Sequence, residues 1–210
     1  MTIKKFLHSC ILIEENGKRL LIDPGSFSFI EEIIKPEDIG PVDVVLYTHQ
    51  HQDHFYPEVL QSFLKSDTKI VCNREVNALL EKDGVYSEYI DADDARDVHG
   101  FDIEAFEAPH EPVLGEIPDN LAFLINDSVL HPGDSISVVI DKPVETLCLP
   151  VAAPWLRIMD AVLFARKVKP KIAIPIHDAY LKDYMRGRIY EQLSVVLETE
   201  GIHFEKLVSQ

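Results

Sequence analysis

The chain has 210 residues, 46% of them hydrophobic, a net charge of -16 at pH 7 and a pI of 4.9. This acidity and the lack of a Lys/Arg block disfavour nucleic acid as a partner, because neutralising phosphates supplies much of that affinity. The composition is that of a globular protein, and without a run of about 18 apolar residues no membrane span is predicted.

The N-terminal "MTIKK" and the apolar run behind it imitate a secretion signal. His8, Ser9, Glu14 and Glu15 interrupt that run and no small-residue cleavage site follows, so the segment reads as mature strand in a cytoplasmic protein. "FLHSCILIEENGKRLLID" contains two β-type runs around Asn16-Gly17, a strong hairpin signal. "VDVVLYT" is nearly all apolar, as expected of a strand covered on both faces. "PEVLQSFLKS" predicts a helix with Pro57 in its first turn, and "TKIVC" a strand. "NREVNALLEKDG" predicts a helix capped by Asn73, with Gly84 just past its end. "GFDIEAFEA" alternates like a strand, and "NLAFLINDSVLHPGD" reads as two strands around Asn126-Asp127. "ETLCLPV" and "KIAIPIHD" predict buried strands, with the helical periodicity of "WLRIMDAVLFARKVK" between them. "YMRGRIYEQLSVVLETEG" is a final helix and "IHFEKLV" a closing strand. With no repeat, linker or composition break, residues 1–210 are expected to form one α/β domain of mixed sheets with helices outside.

The chemistry-bearing residues share a position: each follows an apolar strand. Asp23 ends "LLID"; His49, His51, Asp53 and His54 crowd into six positions behind "VVLYT"; His110 ends "DIEAFEAPH". His131 and Asp134 end "SVLHPGD", and His177 and Asp178 end "IAIPIHD". Ligand sites of open α/β sheets gather beyond the carboxyl ends of strands, so five strands could deliver these groups to one rim. His49 and His51 are two apart and project to one side of an extended segment, where both can hold one metal. Asp53 and His54 come at the turn and can face a second ion, with His110 completing the first set, Asp134 bridging and His177 closing the second. Imidazole and carboxylate suit zinc, manganese or iron. Against this stand plainer readings: a polar turn around the cluster, a proline-flanked loop at His110, a turn with a helix cap at Asp134, and a core histidine at His177. Lys182 and Arg186, four apart, could bind an anionic group or form a solvated face; Phe27, Phe29 and Trp155 could wall a cleft or join the core. Cys10, Cys72 and Cys148 lie in or beside apolar runs and read as buried reduced thiols.

The string "THQHQDH", preceded by "LLIDPG" and followed by a lone His, "HPGDS" and "IPIHD", resembles the signature of the metallo-β-lactamase superfamily. "FLHSCILIE" ahead of "LLIDPG" is similar to the branch of ascorbate-6-phosphate lactonase-like and metal-dependent hydrolase proteins. The resemblance covers essentially the whole chain. It implies an αββα sandwich with a dinuclear site, His49, His51 and His110 on one metal, Asp53, His54 and His177 on the other, and Asp134 between. It also implies that Asp23 orients the ligands, and that His8 and His131 stand behind them or meet substrate. Leu7 departs from the glycine often found before "HS". The absence of "GHTPG" around His110 disfavours a glyoxalase II-like thioesterase, and the length leaves no room for the extra domain of nuclease members.

The expectation is a hydrolase with two divalent metals, in which a metal-bound hydroxide attacks a lactone, another ester or a phosphoester, tilted toward lactone, and Asp53 could serve as base as well as ligand. A small-molecule substrate is expected, and a homo-oligomer stays open. The rivals are a non-catalytic metal-binding or sensing protein on the same scaffold, and an amidohydrolase. The barrel of the latter usually needs a longer chain, and the Asp53-His54 pair speaks against it.

Overall fold

The structure, a computed structural model, describes residues 1–31 and 34–207. Its first sheet runs β1 (Thr2–Lys5), β2 (Ile11–Glu15), β3 (Lys18–Ile22), β4 (Val44–Tyr47), β5 (Lys69–Cys72) and β6 (Glu88–Tyr89) in that spatial order. The first three strands pair antiparallel and the rest parallel. The second sheet contains β7 (Ala95–Val98), β8 (Phe101–Glu107), β9 (Leu121–Ile125), β10 (Val129–His131), β11 (Thr146–Pro150), β12 (Ile172–Ile176) and β13 (His203–Phe204), ordered β13-β12-β11-β10-β9-β8-β7. It is antiparallel from β7 to β10 and parallel from β10 to β13. The helices are α1 (Pro36–Ile39), α2 (Arg74–Lys82), α3 (Ile158–Val168) and α4 (Asp183–Thr199).

The period of two in the strands sorts their side chains into layers. Ile11, Ile13, Leu20, Ile22, Val44 and Leu46 of the first sheet meet Phe101, Ile103, Phe123, Ile125 and Ile176 of the second. The alternate residues Leu12, Leu21, Val45 and Tyr47 face outward and pack under Leu60, Phe63, Val76 and Leu80. On the far side, Leu124, Leu147 and Leu149 pack under Phe164 and Ala165 of α3 and Leu193 and Leu197 of α4. The architecture is therefore the expected αββα sandwich of two mixed sheets. Burying both faces explains why β4, β9 and β11 read as continuous apolar runs.

Most predicted elements stand where expected. Asn16 and Gly17 both take positive φ in the β2–β3 turn, and the Asn73 side chain accepts from the Val76 N–H at 2.9 Å to cap α2. Three expectations need correction. "PEVLQSFLKS" forms a 3-10 helix over Pro57–Phe63 instead of a regular α-helix. "FLHSCILIE" is a strand only from Ile11, since residues 6–10 form a tight turn in which Phe6 N–H bonds the Cys10 carbonyl. "IHFEKLV" pairs only over His203–Phe204, and its last residue, Val208, lies outside the described residues.

Candidate metal centre

All candidate residues converge at one rim, at the carboxyl ends of β3, β4, β8, β10 and β12, joined by the β1–β2 turn carrying His8. Two glycines let the loops close. A Cβ on Gly25 would lie 1.8 Å from the Asp53 carbonyl oxygen, and one on Gly133, at φ +58, would lie 2.0 Å from Asn120 Oδ1. These contacts account for the glycines of "DPG" and "HPGD". His8, Asp23 and His177 also take positive φ, at 61, 48 and 63 degrees. Left-handed backbone at non-glycine residues is costly and collects where side chains must be aimed.

The ligand atoms form two sets of four, each within 4.8 Å of one another: His49, His51, His110 and Asp134; and His8, Asp53, His54 and His177. Asp134 touches both. Its Oδ1 lies 2.9 Å from His177 Nε2 and 3.0 Å from His54 Nε2, and its Oδ2 lies 3.4 Å from His110 Nε2.

Hydrogen bonds decide which nitrogen of each imidazole carries its proton. His177 Nδ1 lies 2.8 Å from the Ala152 carbonyl and His110 Nδ1 lies 2.6 Å from the Glu111 carbonyl. His54 Nδ1 lies 2.7 Å from Asp23 Oδ2. Each of these acceptors requires an N–H, so all three rings are protonated at Nδ1. His49 follows by relay. Thr48 Oγ1 donates to Asp23 Oδ2 at 2.7 Å, which leaves Thr48 to accept from His49 Nδ1 at 3.0 Å. Four Nε2 lone pairs are thereby turned inward. Those of His49, His54 and His177, together with Asp134 Oδ1, are buried without a hydrogen-bond partner. Lone pairs of nitrogen and carboxylate oxygen facing each other at 3 Å repel unless a proton or a metal cation lies between them. The residues thus fit divalent metals, with N/O donors of the kind zinc, manganese and iron accept.

His8 and His131 have the opposite arrangement. His8 Nδ1 accepts from the Ala179 N–H at 3.4 Å, so its Nε2–H donates to Asp53 Oδ2 at 3.1 Å. His131 Nδ1 accepts from the Gly133 N–H at 3.3 Å and its Nε2–H donates to the Ser9 carbonyl at 3.1 Å. His8 orients Asp53, and His131 ties the turn carrying His8 to the loop carrying Asp134.

Electrostatics follow the geometry. Burial, then His177 and His54, holds His8 down to about 3 against the pull of Asp53. Burial also takes His49 well below its usual range. Burial would raise Asp134, yet the facing His177 and His54 hold it well below the ordinary carboxylate value. His54 moves up, because Asp134 and Asp23 outweigh its burial. Burial raises all three cysteines, Cys72 and Cys148 to about 12, which leaves them protonated and inert.

The softer candidates divide. The Phe27 ring lies 5.0 Å from His8 and Trp155 lies 5.7 Å from His177, so both stand beside the centre. Phe29 packs in the core against Phe63. Lys182 precedes α4 as its N-cap, and Arg186 pairs with Asp183 at 2.5 Å. Three contributors had no sequence signal: Tyr180, whose hydroxyl lies 3.4 Å from Asp53 Oδ2; Asn120, which donates to the Ala108 and Pro132 carbonyls and accepts from Asp134 N–H; and Lys5. Buried in β1, Lys5 pairs with Asp178 at 2.5 Å and so anchors the loop behind His177.

A family model described as "Beta-lactamase superfamily domain" matches residues 2–177. Protein Rv0786c of Mycobacterium tuberculosis is 32% identical over 209 residues, covering 95% of this chain and 94% of that one. A UPF0173 metal-dependent hydrolase of Methanosarcina mazei is 28% identical over 187 residues, covering 81% of this chain and 80% of that one. The solved structure of Igni18, a metallo hydrolase from the archaeon Ignicoccus hospitalis, superposes with a TM-score of 0.76 at 18% identity over 99% of this chain and 94% of that one, a likeness of fold.

Proposed function

The chain belongs to the metallo-β-lactamase superfamily as a metal-dependent hydrolase, and from that premise we propose that its centre is dinuclear and cleaves a lactone or related ester. His49, His51 and His110 would hold one ion, Asp53, His54 and His177 the other, and Asp134 would bridge. The observation that carries this reading is the tautomer pattern: four rings commit their Nδ1 protons outward and turn Nε2 toward one shared carboxylate.

Bound divalent ions supply Lewis acidity toward the substrate oxygen and make water nucleophilic near neutral pH. The chain's own groups do the rest. Asp23 holds the proton on His54 Nδ1 and, through Thr48, fixes His49. His8 donates to Asp53 and keeps its carboxylate oriented. Tyr180 offers a hydroxyl beside Asp53 for hydrogen bonding to substrate, and the Phe27 and Trp155 rings pack beside His8 and His177. A phosphoester remains the second substrate class. The lactone is favoured because the groups around the second set are aromatic and the nearby Arg186 is already paired with Asp183.

The test pairs elemental analysis of protein purified without chelator with a panel of lactones and phosphodiesters, before and after chelation. We expect about two divalent ions per chain and activity lost reversibly on chelation. A folded protein without metal after growth with zinc, manganese and iron would overturn the proposal.

A further inference from the structure

Beside the second ligand set, a cavity of about 860 Å³ opens between the turn at residues 26–31 and α4. Its size suits a small-molecule pocket. Resting on the hydrolase reading, we propose that this cavity is the recognition pocket for an aryl portion of the substrate that carries an O–H or N–H donor.

Four observations support the assignment. The first is continuity with the centre. Phe27 and Tyr180 line the cavity, their rings 5.3 Å apart, and the same rings lie 5.0 and 5.5 Å from His8. A group seated there lies against the two rings that also contact His8.

The second is wall chemistry. Leu7, Phe27, Ile30 and Leu181 supply apolar surface, and Ile30 is 61% exposed although the preceding Phe29 is a core residue. Two aromatic rings in such an apolar wall favour a flat ring as their partner.

The third is Gly187. It sits inside α4, where glycine weakens a helix relative to alanine. It lines the cavity, and a Cβ there would meet nothing within 4 Å. No close backbone approach calls for the glycine, so its effect is to leave the pocket open.

The fourth is a buried acceptor without a partner. Lys5 Nζ and Tyr190 Oη both bond Asp178 Oδ2, each at 2.5 Å, and Asp178 Oδ1 has no partner although the residue is buried in the cavity wall. A buried carboxylate oxygen is unfavourable until a donor reaches it. That selects a ligand with an O–H or N–H over an isostere without one.

The test reads binding by fluorescence, independently of hydrolysis. The probe is 2-naphthol, compared with 2-methoxynaphthalene, on metal-loaded and chelator-treated protein. We expect 2-naphthol to bind in both states and 2-methoxynaphthalene to bind about tenfold more weakly. Gly187→Phe, which fills open space, should weaken 2-naphthol by about tenfold or more while circular dichroism and metal content stay unchanged. Binding indifferent to Gly187→Phe, or equal for the two probes, overturns the pocket. On the loaded enzyme, Gly187→Phe should raise KM for 2-naphthyl acetate but not for methyl acetate. If neither ester is cleaved while naphthol binding responds as expected, the hydrolase reading fails and the pocket stands.

Discussion

Asp23 offers the sharpest test of how the centre is held. It touches no candidate metal position, yet it accepts three hydrogen bonds: Thr48 N–H on Oδ1 at 2.8 Å, and Thr48 Oγ1 and His54 Nδ1 on Oδ2, both at 2.7 Å. In Asp23→Asn, either orientation of the amide sets an NH₂ against a donor. Placing it at the Oδ1 position costs one bond and placing it at Oδ2 costs two, so the first is preferred. His54 then leans on a neutral amide oxygen in place of a carboxylate. Losing such a partner behind a metal-bound imidazole typically weakens metal binding by about 10- to 100-fold, or about 1.4 to 2.7 kcal/mol. The buried Thr48 N–H left facing an NH₂ adds about 1–3 kcal/mol of destabilisation.

Thr48→Val separates the two sets. It keeps the Asp23–His54 bond while removing both the acceptor for His49 Nδ1 and the hydroxyl that donates to Asp23 Oδ2. Competition with a chromogenic zinc chelator should show both ions weakened in Asp23→Asn, but only one in Thr48→Val. Circular dichroism confirms that each variant is folded. Unchanged affinity in folded Asp23→Asn, or equal losses of both ions in Thr48→Val, would refute the relay.

Away from the centre, burial would raise Asp43, but hydrogen bonds from Lys65, Lys18 and the Arg19 N–H hold its pKa at about 2. The fold favours the ionised form, so this stabilisation is complete above the unfolded value near pH 4 and disappears as pH falls through about 2. Asp43→Asn should cost about 2 kcal/mol in urea unfolding at pH 7, with the gap to wild type shrinking near pH 2; a constant gap contradicts the assignment. Gly25→Ala drives a Cβ onto the Asp53 carbonyl, so Tm and metal content should both fall. Gly17→Ala meets nothing within 4 Å and should cost only the strain of its φ of +75, about 1 kcal/mol. Asp134→Ala should weaken both ions, whereas His8→Ala should spare metal stoichiometry; full retention in the Asp134 variant counts against bridging. A triple Cys→Ser variant that folds should hydrolyse substrate at near wild-type rate, and activity that survives chelation but dies on alkylation would instead point to a thiol nucleophile.

What the sequence made legible has a common cause. The apolar periods of β2, β3, β4 and β8, the Asn-Gly turn and the Asn73 cap are local features, each written within a few neighbouring residues. The metal cluster was legible for a related reason: seven candidate ligands all follow strand ends, and strand ends share a rim. The distinction between β4, buried on both faces, and the alternating β8 was also visible, since burial pattern is what apolar runs record. Short elements were not. β6, of two residues, had no sequence reading, and β13 was expected over "IHFEKLV" but pairs over two residues only, because such short strands owe their pairing to the sheet already present beside them.

The supporting residues lay furthest from view, for a reason that bears on how the centre works. Lys5 and Asp178 are 173 positions apart, and His131 and Ser9 are 122 apart. Their partnership exists only after the two sheets have closed. Yet these long-range bonds set the loops after β10 and β12, and the bonds at His8, Thr48 and Asp23 choose the imidazole tautomers. Ligand identity is thus encoded locally, and ligand readiness by tertiary contact. A chain with the string "THQHQDH" intact but the Lys5–Asp178 pair broken should keep its first ligand set and loosen its second, because only His177 hangs from that anchor. Lys5→Met removes the cation and leaves Asp178 buried and uncompensated, a change of the kind that costs about 3–5 kcal/mol. In a Lys5→Met/Asp178→Leu double variant no charge is left uncompensated, so stability should recover. Metal binding at the His54–His177 side should then remain weaker than in wild type if the anchor positions the loop. Full recovery of both would show that the pair matters only for charge balance.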